Sequence, residues 1–171
     1  MSDIADTWGS GRRLATFVDE LKELGPEGFL DRYRHPFLLL HGDPTNGPGG
    51  NDASVTFTVE TTFYALLVRA APKSPLPYVS AGRAAGNDIV LSHSTVSSVH
   101  AYFRLDENGQ VTLQDAGSRN RTFIGGDRVP TRSEGPPVPL HPGANVRFGS
   151  VSTTFLPAAM FRDFIGKMAS Y

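Results

Sequence analysis

Apolar residues first fall in a helical stripe, with Leu14, Phe17, Val18, Leu21 and Leu24 recurring at i, i+3, i+4 and i+7 spacing. The stripe predicts an amphipathic helix over residues 11–24, closed by Gly25-Pro26, and residues 27–33 add a further turn or short helix before His35-Pro36. The run Phe37-Leu38-Leu39-Leu40 has no polar interruption, and its pattern fits a buried strand and a packed helical turn equally. Residues 43–52 are rich in Gly, Pro, Asn and Asp and read as a long loop or linker. The boundary between a helical extension and a β-domain is expected there.

Beyond the linker the period changes to two. Residues 54–60 and 63–69 are rich in Val, Thr, Phe and Tyr, which suit strands. Short strands follow at 78–81, 89–91, 101–105, 111–114 and 122–124. Gly125-Gly126 supplies positive φ angles for a tight hairpin into 127–129. Residues 131–143 read as a Pro- and Gly-rich loop, and two last strands are expected at 145–148 and 152–156. Regularly spaced short strands with turn signals between them indicate a β-sandwich. After Pro157, a residue suited to beginning a helix, Met160, Phe161, Phe164, Ile165 and Met168 share one helical face. That face needs cover: the sandwich, the N-terminal helix, or a second copy, which would make a homodimer through the terminal helices.

Charge and composition remove several classes. The net charge of −1 gives no global field for nucleic acid or an anionic membrane, so anion recognition has to be local. Residues 78–156 hold seven arginines and no lysine against six acids, and arginine's rigid fork suits phosphate. With no cysteine there is no disulfide framework, thiolate metal site or cysteine nucleophile. The histidines (His35, His41, His93, His100, His141) share no ligand-like spacing, so neither a metal nor another cofactor is expected. No apolar run approaches a membrane span, and residues 1–6 lack a leader's basic start and apolar core. The expectation is a soluble, cytoplasmic protein.

Three polar clusters lie on loop-like breaks between the predicted strands: Gly82-Arg83, Val96-Ser97-Ser98-Val99-His100-Ala101, and Ser118-Arg119-Asn120-Arg121-Thr122. A β-scaffold gathers a guanidinium, a hydroxyl and an amide around one anion in this way. A phosphate monoester carries about −1.5 to −2 charges and three strong acceptor oxygens, so its reader needs a charged fork and neutral donors on rigidly held loops. The types, order and spacing resemble the forkhead-associated (FHA) domain, a phosphothreonine-peptide reader, from about residue 78 to 156. The resemblance implies an FHA-type β-sandwich with added N-terminal and C-terminal helices. The expected division is residues 1–51 as extension and linker, 52–157 as sandwich and 158–171 as the last helix.

The resemblance also implies roles. Arg83 would meet the phosphate, with Gly82 permitting the turn before it. Ser97 would supply a hydroxyl, and Ser98 stands where the family pattern Val-Ser-Arg-x-His-Ala has arginine. His100 would brace the loop. Asn120 would bond the main chain of the bound peptide, and Arg119 would approach phosphate or peptide. Ser118 and Thr122 would support the third loop. Arg121 replaces the glycine of Ser-x-Asn-Gly-Thr. A left-handed backbone there would cost roughly 1–2 kcal/mol for arginine; its charge could equally replace the one missing at Ser98. Gly125 stands where asparagine is common.

A hydrolase triad of Ser97, His100 and Asp115 lacks a Gly-x-Ser-x-Gly elbow, and residues 82–87 lack the Gly-Lys-Ser/Thr ending of a phosphate loop. No catalytic residues are therefore assigned. The function implied is non-catalytic recognition of a phosphothreonine-containing protein, a substrate of a serine/threonine kinase. The rival reading is an FHA-like assembly scaffold that ignores phosphate.

Overall fold

The computed structural model describes residues 12–40, 78–170 and the backbone of 64–67. The elements in chain order are β1 (Arg12–Arg13), α1 (Leu14–Arg32), β2 (Phe37–Leu40), β3 (Tyr64–Leu67), β4 (Val79–Gly82), β5 (Ile89–Val90), β6 (Ala101–Leu105), β7 (Val111–Asp115), β8 (Thr122–Ile124), β9 (Asp127–Arg128), β10 (Val138–Pro139), β11 (Asn145–Phe148), β12 (Val151–Leu156) and α2 (Ala158–Ala169). A seven-stranded sheet runs β1-β3-β2-β12-β11-β8-β9, and a five-stranded sheet runs β10-β7-β6-β4-β5. All pairings are antiparallel except β4 with β5. The fold is a mainly β sandwich with a helix near each end of the chain. The strand expected at 54–60, the 43–52 loop and the boundary at 51–52 lie outside the described residues.

The uninterrupted run in β2 has a direct cause. Leu38 and Leu40 enter the core between the sheets with Phe103, Leu113, Val146, Phe148 and Phe155. Phe37 and Leu39 face the other way, into a second core with Leu14, Phe17, Leu21, Phe29, Phe161 and Ile165. A strand covered on both faces has no solvent side, and therefore no alternation to read. β2 lies between β12 and β3 in the larger sheet. The two helices cover that sheet's outer face: Phe161 of α2 stacks on Phe37 with centroids 4.0 Å apart and meets the edge of Phe17 at 5.2 Å.

The first helix breaks where Gly25-Pro26 predicted. Gly25 takes φ 71° and ψ 171°, and Pro26 opens a second helical stretch that ends at Arg32. Three details differ from expectation. Arg12–Arg13 is a short strand on β3, opposite Ala65 and Tyr64, so the helix starts at Leu14. Val138–Pro139, read as loop, pairs with Leu113 and Thr112 at a sheet edge, the one place in a sheet that tolerates proline. In the β8–β9 hairpin only Gly125 has positive φ, at 62°, the pattern of a type II′ turn, so Gly126 is not needed for its conformational freedom.

Candidate functional site

Three loops converge at one end of the sandwich: residues 83–88 after β4, 91–100 between β5 and β6, and 116–121 between β7 and β8. The first is closed by a reciprocal clasp, in which the Asp88 carboxylate accepts from the Ser80 N–H at 2.9 Å while the Ser80 hydroxyl accepts from the Asp88 N–H at 3.1 Å. Gly82 is required by proximity rather than by its φ, which is not positive. A Cβ there would lie well inside contact of the Ser98 carbonyl oxygen and press on the Asn87 amide. This differs from a turn-permitting role. The absent side chain lets β4 lie against the second loop, where the Arg83 N–H donates to Ser97 O at 2.9 Å and the Ala84 N–H to Ser98 O at 3.2 Å. Asn87 adds side-chain bonds to Ala84 O at 2.8 Å and Ser98 O at 2.6 Å.

The second and third loops are fastened by His100, which is fully buried. Its Nδ1 accepts from the Ser97 N–H at 3.0 Å, so the proton sits on Nε2, which donates to Arg121 O at 2.9 Å. Burial is the largest influence on the ring and holds its pKa below the ordinary imidazole value, against the opposing pull of the Arg121 carbonyl and the Asp115 charge. A neutral ring matches this use, since only the neutral form both donates and accepts.

Ser97 Oγ accepts from the Arg119 N–H at 3.0 Å. That bond uses a lone pair and leaves the hydroxyl proton to donate elsewhere. Asn120 donates from Nδ2 to Thr95 O at 2.9 Å. Its amide retains one N–H and one carbonyl oxygen, the pair that a passing peptide unit complements. Arg83, Arg119 and Arg121 are exposed and enter no ion pair among the described residues. The Arg83 guanidinium has a long contact of 3.4 Å to Ser94 O. Ser98 is exposed and lends its carbonyl to the first loop. The rim of the three loops therefore presents positive charge, a free hydroxyl donor and an amide.

Ser118 and Thr122 lie beneath that rim, buried, and both hydroxyls donate to Asp115 Oδ2, at 2.6 and 2.7 Å. Asp115 Oδ1 accepts from the N–H groups of Gly117 and Ser118, each at 2.8 Å. Burial, the largest single influence, raises the pKa of this carboxyl. The bonds from Ser118, Thr122 and Gly117 together outweigh it, so the net shift is downward. Asp115 thus organises the third loop, a role that sequence reasoning missed. Two signals were available: Asp115 falls on the inward face of β7 with Val111 and Leu113, and Asp-Ala-Gly-Ser is a natural Asx turn. Thr95 was also missed. Its Oγ1 lies 2.8 Å from Ser150 Oγ and accepts from the Ser150 N–H at 3.0 Å, tying the second loop to the β11–β12 turn.

Arg121 is the one non-glycine residue with positive φ among those described, at 69°. Its carbonyl accepts from His100 and also from the Gly149 N–H at 3.0 Å. The left-handed backbone that glycine would adopt freely is therefore held here with an arginine.

Comparison with known proteins adds four findings. The FHA domain family model matches residues 79–149. An oxoglutarate dehydrogenase inhibitor of Corynebacterium efficiens is 38% identical over 85 residues, covering 48% of this chain and 55% of that protein. The glycogen accumulation regulator GarA of Mycolicibacterium smegmatis is 40% identical over 80 residues, covering 47% of this chain and 46% of that protein. The chain thus spans about half the length of these curated relatives. Among solved structures, the FHA domain of an Arabidopsis thaliana hypothetical protein aligns with a TM-score of 0.48 at 20% identity, over 73% of this chain and 87% of that one.

Proposed function

Because the chain carries a forkhead-associated domain within residues 79–149, we propose that it recognises a phosphothreonine peptide without catalysing a reaction, on a partner modified by a serine/threonine kinase. The observation that carries this reading is the wiring of the three loops. The Arg83 backbone is bonded to Ser97, the Ser97 hydroxyl to Arg119, and the Asn120 amide to Thr95. A guanidinium, a hydroxyl donor and a peptide-matching amide thus stand on one hydrogen-bonded frame before any ligand arrives. Preformed donors lose little conformational freedom on binding. Arg83 and Ser97 would take the phosphate, Asn120 the peptide main chain, and Arg119, Arg121 and Ser98 the flanks. Gly82, His100, Ser118 and Thr122 would hold the frame.

Calorimetry with matched phosphothreonine and unphosphorylated peptides tests the assignment. Truncating one partner of a desolvated charge pair costs roughly 2–5 kcal/mol. Arg83→Ala should therefore weaken phosphopeptide binding well over tenfold while leaving the circular dichroism spectrum unchanged. Equal binding by variant and wild type would remove Arg83 from the site. Equal binding of both peptides by the wild type would favour a phosphate-independent scaffold.

A further inference from the structure

A cleft of about 1150 Å³ lies not among the three loops but on the outer face of the five-stranded sheet. Its floor is formed by outward side chains of β6 and β7, where Tyr102 pairs with Gln114 and Arg104 with Thr112. Tyr78 meets Tyr102 edge to face with centroids 4.5 Å apart. One wall is the 131–137 segment, which carries Arg132. That wall is pinned: Gln114 Nε2 donates to Gly135 O at 2.8 Å, and Glu134 accepts from Arg128 at 2.6 Å and from the Thr131 N–H at 2.9 Å. The cleft is therefore built in advance.

Its charge is unbalanced. Arg104 and Arg132 are exposed and enter no ion pair among the described residues. The one carboxylate in the lining, Asp115, is buried and already accepts four hydrogen bonds from the third loop. Two unpaired guanidiniums beside an aromatic pair complement a carboxylate-bearing chain. Gly117 is at once part of the cleft lining and two positions from Arg119, so the cleft begins at most about 7 Å of chain from the loop cluster. From Gly117 to Thr112, the residue opposite Arg104, is at most about 17 Å.

We propose that this cleft docks an acidic segment of the same partner protein, with glutamates or aspartates starting a few residues from the phosphothreonine. Such docking presupposes the phosphothreonine reading of the adjoining loops. It adds a second point of attachment on one chain, and its contribution fades with salt because both arginines are exposed.

The test uses three phosphothreonine peptides: a short one, one extended on both sides by acids, and one extended by the matching amides. At low salt the acidic extension should tighten binding about tenfold over the other two. Arg104→Gln combined with Arg132→Gln should abolish that gain and leave the short peptide's affinity unchanged. No gain from the acids, or a gain that survives in the double variant, would overturn the proposal. A hexaglutamate peptide without phosphothreonine, titrated into isotope-labelled protein, probes the cleft separately. Amide shifts confined to residues 102–104, 112–114 and 131–135, absent in the double variant, support docking, and their absence in the wild type overturns it. If the short phosphopeptide fails to bind while these shifts appear, the phosphothreonine reading falls and overturns two-point docking of one partner, while the cleft's own affinity for acids stands.

Discussion

His100 Nε2 donates to the carbonyl of Arg121, the residue whose backbone is left-handed at φ 69°. One buried ring thus holds the one strained side-chain-bearing residue among those described, and does so from a different loop. The Gly149 N–H adds a second bond to the same oxygen. Conformational strain at the rim is offset by hydrogen bonds beneath it.

Arg121→Gly separates strain from charge. Relieving a left-handed non-glycine residue gains roughly 1–2 kcal/mol, and the entropy that glycine adds to the unfolded chain takes back about 0.4–1 kcal/mol of it. If the exposed guanidinium also draws the phosphate, the variant will melt higher yet bind phosphopeptide more weakly, with a shallower salt dependence. Calorimetry at low and high salt reads both effects. Tighter binding by the glycine variant would reject a role for this charge.

Acid should loosen the site through His100. An unperturbed imidazole titrates near pH 6.5, roughly the unfolded value. Burial, the main influence, holds the folded value lower. Between those two values the unfolded chain binds more protons, so stability is complete above about pH 6.5 and falls as pH drops toward the folded value. Asp115 adds a loss at lower pH, as its depressed carboxyl finally takes a proton. Urea midpoints measured from about pH 7.5 to about 4.5 should fall with acid, and His100→Gln should flatten the upper part of that fall. An unchanged slope in the variant would mean that other groups carry it.

Asp115→Ala should act through the third loop. Four donors lose a buried, charged acceptor at once. Hydrogen bonds to a charged group contribute about 1.5–3 kcal/mol each, and leaving buried donors unmade is costly, so a loss of about 3 kcal/mol or more is expected. Phosphopeptide affinity should drop as Arg119 and Asn120 lose their support. Denaturant unfolding and calorimetry on the same variant check both parts.

Phe161→Ala should destabilise without touching recognition. The ring is fully buried between the helices and β2, and such truncations cost about 3–5 kcal/mol. The site lies on loops of the other core. Folded variant protein should therefore bind phosphopeptide with wild-type affinity while its urea midpoint falls. A parallel loss of affinity would show that the helical layer supports the loops.

How much could be read beforehand varied with the range of the interaction. Local signals worked: the Gly25-Pro26 break and the strands 101–105, 122–124 and 145–148 all depend on neighbours in sequence. Long-range ones did not. Nothing near Val138-Pro139 announces that Leu113 and Thr112 wait opposite. Phe37–Leu40 is legible as a strand only once helices cover its second face. At the candidate site, side chains that face outward could be matched to a pattern. Those acting inward on carbonyls and N–H groups, such as Thr95 and Asp115, could not. Gly82 was noticed for the wrong reason, because its need for a missing side chain is set by Ser98 on another loop.

The segment shared with the family, residues 79–149, ends before β12 and begins after β2. Those two strands stand side by side at the heart of the larger sheet, in register from Thr153–Leu40 to Leu156–Phe37. A fragment trimmed to the family limits would keep the three loops and discard four of the seven strands in the larger sheet behind them. It would show water a bare β11 edge and the apolar residues that Leu38, Leu40 and Phe155 had covered, an invitation to pair with other chains. The smallest piece that folds unaided is therefore larger than the piece that carries the three loops, and expression trials that start near residue 79 should yield inclusion bodies where longer ones yield protein.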